Sequence, residues 1–294
     1  MSNPTRHNGI IVGVDGSAPS KVAVDWAARE ASLRELPLTI IYISPSPMVS
    51  ADLPMPVNLT ERLEKHGQSV LGEARSTAEE AAEGSSPITI DTEMVRAAIL
   101  PTLIDRSKDA DMIVVGCRGL GAIGRRLLGS VSSGLLHHAH CPVAVIHDED
   151  PMMPHPYEAP VVVGIDGSPA SEQATAIAFE EASRRGVDLV AVHAWSDFSA
   201  FELPATGSEE LEKEAEETLG ERLAGWQERY PDVSVRRVVS LDKPAHQLLE
   251  QSESAQLTVL GSHGRGGFAG MLLGSVSSAV AQSARMPVII ARQS

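Results

Sequence analysis

Aromatic residues make up only 3% of this 294-residue chain, and there are just two cysteines. So few aromatics leave little on which unpaired nucleic-acid bases can stack. Cys117 and Cys141 form no CxxC pair, which argues against a disulfide scaffold or a structural zinc site and for a reducing, cytoplasmic setting. Long hydrophobic runs are also missing: no stretch approaches the roughly 20 apolar residues of a membrane helix. The first 15 residues hold a single apolar run, Ile10 to Val14, too short for the core of a signal peptide. Basic residues are scarce as well. Lys and Arg number 24 against 39 Asp and Glu, a net charge of −15, and splitting the chain after residue 150 leaves −6 and −9 on the two parts. Such an average surface repels polyanions, so neither nucleic acid nor membrane insertion is expected.

Present in quantity are hydrophobic residues, 43% of the chain, and 24 glycines. They fall in a pattern written twice. IIVGVDGS at 10–17 recurs as VVVGIDGS at 161–168, an offset of 151, and GSVSS at 129–133 recurs at 274–278, an offset of 145. The second copy is therefore six residues shorter between its second and fourth strands. Copies of this length can each own a core, which predicts two domains, 1–147 and 160–294, joined by a proline-rich, acidic linker at 148–159.

Within each copy, short apolar β-branched runs alternate with helical patterns. In the first, strands are predicted at 9–14, 38–43, 88–95, 111–115 and 142–147. Helices are predicted from the Asp15-Gly16-Ser17 turn to about 35, over 59–83, near 100–108, and from Ser130. Strands that are apolar throughout, each followed by a helix, imply an α/β fold with a parallel sheet covered on both faces. The alternating 88–95 segment reads as peripheral.

The glycines concentrate where chemistry is expected. Gly116-Cys-Arg-Gly119, nine residues, then Gly129-Ser130 is matched by Gly261-Ser-His-Gly264, nine residues, then Gly274-Ser275. Each stretch lies between a buried strand and a helix that continues with Val131 or Val276. Glycines let main-chain N–H groups approach an anion, and a helix start adds free N–H groups and a favourable dipole. Ser130 and Ser275 are candidates to cap that helix or to donate to a phosphate. Arg118, Arg125 and Arg126 in the first loop and His263 and Arg265 in the second add local cations, and Gly121 and Gly266 extend the loops. The spacing is neither that of a Walker loop nor GxGxxG. In open parallel sheets, ligands bind beyond the carboxyl ends of the strands. That location brings in Gly13, Asp15, Gly164 and Asp166, with Asp197 past the second strand of the second copy. Asp15 and Asp166 either contact a ligand or serve only the turn into the following helix.

Taken together, VGVDGS and VGIDGS, the G-2x-G-9x-G-S loops, and the closing CPVAVI and MPVIIA strands resemble the universal stress protein family over nearly the whole chain. The resemblance implies two tandem Rossmann-like domains, each an open, doubly wound, five-stranded parallel sheet of order 3-2-1-4-5. It implies ATP, with Mg2+, held by Gly116, Gly119, Gly129 and Ser130 in one copy and by Gly261, Gly264, Gly274 and Ser275 in the other. It further implies a regulatory stress-response role with at most slow hydrolysis, an unidentified protein partner, and a homodimer formed through the last strands. A nucleotide-dependent enzyme of the adenylyl-transfer type and a nucleotide-independent interaction module are the rival readings. His137, His138, His140 and Cys141 form a dense cluster, but the second copy has Gln282, Ser283, Arg285 and Met286 there, and histidine suits a helix C-terminus for dipole reasons alone. No metal site is expected. Cys117, inside the loop, is a candidate exposed thiol; the second copy has Ser262.

Overall fold

The fold was analysed in a computed structural model that describes residues 9–44, 59–119, 128–147, 156–194, 205–240, 243–264 and 272–292. Gly121, Arg125, Arg126, Asp197, Arg265, Gly266 and most of the 148–159 segment lie outside the described residues. The chain divides into two compact units near residue 148.

The first unit runs β1 (Ile10–Val14), α1 (Ala18–Arg34), β2 (Leu38–Ser44), α2 (Leu59–Ala82), β3 (Ile90–Arg96), α3 (Ile99–Arg106), β4 (Met112–Gly116), α4 (Ser130–His138) and β5 (Val143–Ile146). The second repeats the order with β6 (Val161–Gly164), α5 (Pro169–Arg185), β7 (Leu189–Ala194), α6 (Ala205–Arg229), β8 (Val235–Ser240), α7 (Pro244–Ser252), β9 (Leu257–Gly261), α8 (Ser275–Ser283) and β10 (Val288–Ala291). Within the first unit the sheet order is β3-β2-β1-β4-β5, all parallel, and within the second it is β8-β7-β6-β9-β10. Both are the expected 3-2-1-4-5. Leu38 pairs with Ile90 as Leu189 pairs with Val235, so the six-residue shortening falls between β7 and β8.

The sequence dictates these elements locally. β1, β4 and β5 are apolar because helices cover both of their faces; Ile10, Val12, Ile113 and Val143 have no exposed surface. β3 is an edge and half buried, with Asp91, Thr92 and Arg96 exposed, so its burial does not follow the strict alternation of its sequence. Ser17 caps α1 by accepting from the Ser20 N–H at 3.3 Å, and Ser168 caps α5 from Ser171 at 3.2 Å, each with a proline in the first turn. The helices end differently. α5 closes on Gly186 at φ +64°, whereas α1 closes on Glu35 at φ +54°, a left-handed conformation that costs a residue with a Cβ. α2 buries Val70, Leu71, Ala74, Ala78 and Ala81, a stripe at helical spacing against the sheet. In α1 the Glu30 carboxylate, fully buried, bonds Arg34 one turn on; in α5 Glu181 does the same with Arg185. Phe179 of α5 is fully buried between the sheet and α6, where it stacks on Trp226 and Tyr230 at 5.9 and 5.8 Å, and its burial is worth about 2–3 kcal/mol. Among the described residues, no helix is long and apolar enough to cross a membrane.

Candidate functional site

In each sheet the strand order reverses beside the first strand, so the crevice opens at the carboxyl ends of β1 and β4, and of β6 and β9. The turn leaving β1 is built from three residues with separate tasks. Asp15 Oδ1 accepts from the Ser17 N–H at 3.0 Å. Gly16 takes φ +84°, which a side chain would strain. Ser17 is the helix cap. Asp166, Gly167 (φ +77°) and Ser168 repeat the arrangement, with Asp166 Oδ1 to the Ser168 N–H at 2.9 Å. Serine, not aspartate, is thus the cap. The aspartate's second oxygen, Oδ2, is turned across the crevice: a methyl group on Gly119 would land on Asp15 Oδ2, and one on Gly264 would land on Asp166 Oδ2. That carboxylate raises the proton affinity of a neighbour, because burial first and the Asp15 charge second hold the Tyr42 hydroxyl above its usual tyrosine value.

The glycine loops are pinned where they leave and rejoin the fold. The Gly129 N–H donates to the Cys117 carbonyl at 2.8 Å, and the Gly274 N–H to that of Ser262 at 2.7 Å. Ser132 Oγ donates to the Gly116 carbonyl at 2.8 Å, and Ser277 Oγ to that of Gly261 at 2.6 Å. The helix caps are Gly129 and Gly274, which make no side-chain cap bond. This corrects the capping role expected of Ser130 and Ser275, which are the first helical residues. The first-turn N–H groups of α4 and α8 therefore face the crevice with no capping side chain, the arrangement that attracts anions. Gly116 and Gly261 serve a purpose the sequence did not reveal. A methyl group there would sit 2.8 Å from the Pro19 carbonyl carbon or 2.7 Å from that of Ala170, so glycine lets the strand end abut the following helix start.

Beside the second unit's loop lies a cavity of about 320 Å³, within the range of small-molecule sites. Its polar end is lined by Asp166, Gly261, His263, Gly264, Gly274 and Ser275, and Gly164 contributes to its floor. Its apolar wall is Val192, Ala194, Pro244, Leu248, Leu260 and Val276. Of these, Val192, Pro244, Leu248 and Leu260 were not anticipated; the spacing of four between Pro244 and Leu248 on α7 is the signal that could have found that pair. His193 has its Nδ1 2.6 Å from the Ile165 carbonyl oxygen, and it alternates with Val192 and Ala194 to the opposite face of β7. In the first unit Gly13, Asp15, Gly116, Arg118, Gly119, Gly129, Ser130 and Val131 occupy the matching positions, with Ile43 where the second unit has Ala194.

Cys117 is buried, with its N–H donating to the Ile146 carbonyl at 2.7 Å, which corrects the expectation of an exposed thiol. Burial also pushes the Cys141 thiol up to about 12, so it stays protonated at neutral pH. Among the described residues, no group of three or more His, Cys, Asp or Glu side chains converges on a point a metal could occupy.

The family model of the universal stress protein family matches residues 8–147 and again 159–292. The chain belongs to the universal stress protein family. It is 56% identical over 295 residues to universal stress protein Rv2623 of Mycobacterium tuberculosis, covering 100% of this chain and 99% of the relative. It is 51% identical to a universal stress protein of Mycolicibacterium smegmatis, covering 99% of each. Among solved structures, that of a universal stress protein from Archaeoglobus fulgidus shares 21% identity with a TM-score of 0.70, covering 98% of this chain and 100% of that one; it supports the fold. The matched segment occurs twice, and each copy carries its own glycine loop.

Proposed function

We propose that each unit of this universal stress protein binds one adenine nucleotide, ATP, and that the nucleotide acts as a regulatory ligand in stress response. The observation that carries this reading is the second unit's cavity. It joins a phosphate-sized polar end, made of loop amides and the uncapped start of α8, to an apolar wall of a size suited to a flat base. In the proposed complex, Gly261, Gly264, Gly274 and Ser275 take the phosphates, Val192, Ala194 and Leu248 border the base, and Asp166 takes a ribose hydroxyl or the Mg2+ that accompanies ATP. Gly116, Gly119, Gly129, Ser130 and Asp15 do the same in the first unit. In this reading the nucleotide acts as a ligand whose occupancy shifts conformation by linkage.

Titration calorimetry of the nucleotide-stripped full chain with ATP tests this. Two binding events per chain in the micromolar to millimolar range are expected. Absence of any binding heat, together with no nucleotide released when freshly purified protein is denatured, sinks the proposal.

A further inference from the structure

Between their first two glycines the loops differ at both residues. The first has Cys117-Arg118, the second Ser262-His263. In the second unit this pair is organised around the imidazole. The buried Ser262 hydroxyl lies 3.0 Å from His263 Nδ1. The His263 carbonyl accepts from Ser168 Oγ at 3.2 Å, and a methyl group on Gly274 would come within 3.2 Å of the His263 Cα, so the residue is wedged between the starts of α5 and α8. His263 also borders the polar end of the cavity. A serine hydroxyl both donates and accepts. It can donate to Nδ1 when the ring is neutral and accept from Nδ1–H when the ring is charged. The ring can therefore gain a proton without losing its contact or moving. Arg118 in the first unit has no such choice, since a guanidinium stays charged at any working pH.

Charged residues stand on the segments around the cavity. Asp166 follows β6 and lies against Gly264. Lys243 precedes Pro244 of α7. Arg292, past β10, donates to the Leu272 carbonyl at 2.9 Å, and burial lowers its proton affinity. The uncapped N-terminus of α8 adds positive potential. These charges are present with and without ligand; the phosphates are what changes on binding.

Resting on the nucleotide reading above, we infer that the second site takes up a proton through His263 when it binds, whereas the first site binds through the permanently charged Arg118. The consequence is selective loading of the second site as pH falls. The sign follows from linkage: an anion beside the ring raises its proton affinity, so the added binding is complete below the free ring's pKa and disappears as pH rises through that of the complex. Imidazole is the side chain whose charge changes within the physiological pH range, so the effect is read there.

The test is calorimetric titration of the full chain with ATP between pH 6 and 8.5, in buffers of different ionisation enthalpy, for the wild type and His263→Arg. The wild type is expected to take up protons and to show one binding class that weakens roughly tenfold over that range. His263→Arg, which copies the first unit's residue, is expected to flatten that class and lower the uptake; the difference isolates His263 from His147 and the other histidines. Installing the pair in the first loop, Cys117→Ser with Arg118→His, is expected to create a second pH-dependent class. Histidine resonances of the unmodified chain give an independent readout: the His263 signal, assigned by its loss in His263→Asn, moves its titration to higher pH with ATP. Unchanged proton uptake in His263→Arg, or a His263 titration indifferent to ATP, overturns the inference while leaving nucleotide binding intact. Absence of ATP binding in every variant overturns both.

Discussion

Gly13 and Gly164 stand at the same place in the two units, yet a methyl group added to each meets different surroundings. At Gly13 it would find Val115 and Leu103 at an ordinary 3.5 and 3.7 Å; at Gly164 it would press on Leu260 at 2.6 Å and Leu248 at 3.2 Å. The same split runs through the molecule. Strand registers, helix caps, buried Glu–Arg pairs and pinned loops are repeated, whereas the side chains around them are not. Gly16 is overlaid by Val70, Gly167 by the guanidinium of Arg222. Lys21 of α1 pairs with Glu73 of α2, while in the second unit the polarity is reversed, Glu172 of α5 with Arg222 of α6. Main-chain architecture is held by close packing that tolerates no change; side chains bordering solvent or the crevice have been free to diverge.

Three substitution pairs can break or sharpen this division. The largest effect is expected from Gly116→Ala and Gly261→Ala, where the new methyl meets helix backbone that cannot yield. Each should cost on the order of 3 kcal/mol in chemical denaturation. A marked inequality between them would mean that the two strand-to-helix junctions are not equivalent. Next come Gly164→Ala and Gly13→Ala. The first should cost about 1–2 kcal/mol, as Leu260 is pushed toward the cavity, and weaken nucleotide binding; the second should change the midpoint by less than about 0.5 kcal/mol. Equal costs would erase the contrast. The smallest is at the helix ends. Glu35→Gly should stabilise by about 0.5–1 kcal/mol by relieving the left-handed residue, and Gly186→Ala should destabilise by a similar amount. A loss on Glu35→Gly would show that the carboxylate side chain contributes more than the backbone strain removes.

Much of this was legible in the sequence. Fully apolar runs mark strands such as β1 and β4 because a doubly covered parallel sheet leaves them no wet face, and the alternation of β3 marks an edge for the converse reason. The internal repeat supplied a second reading of every element. The glycine spacing located the crevice, since few other purposes put glycines between a buried strand and a helix twice. What stayed hidden depends on contacts distant in sequence. Nothing near Gly116 announces that Pro19 will lie against it, and nothing near Cys117 announces that it will be buried. Ser130 reads as a cap in isolation; only the dihedral angles of Gly129 assign that position one residue earlier. The wall formed by Pro244 and Leu248 required knowing which face of α7 turns toward β6 and β9.

The pinned glycine loop has one more consequence. Where it meets α8 it presents the first-turn main-chain N–H groups of an uncapped helix, which every residue type except proline carries alike. A point mutation there can block the floor or buckle it, but cannot convert it into a different recognition surface. On the nucleotide reading proposed above, binding of a small anion is the trait of such a repeated unit least easily lost by gradual drift, and the surrounding side chains are the part that can be retuned, copy by copy, toward different conditions of loading.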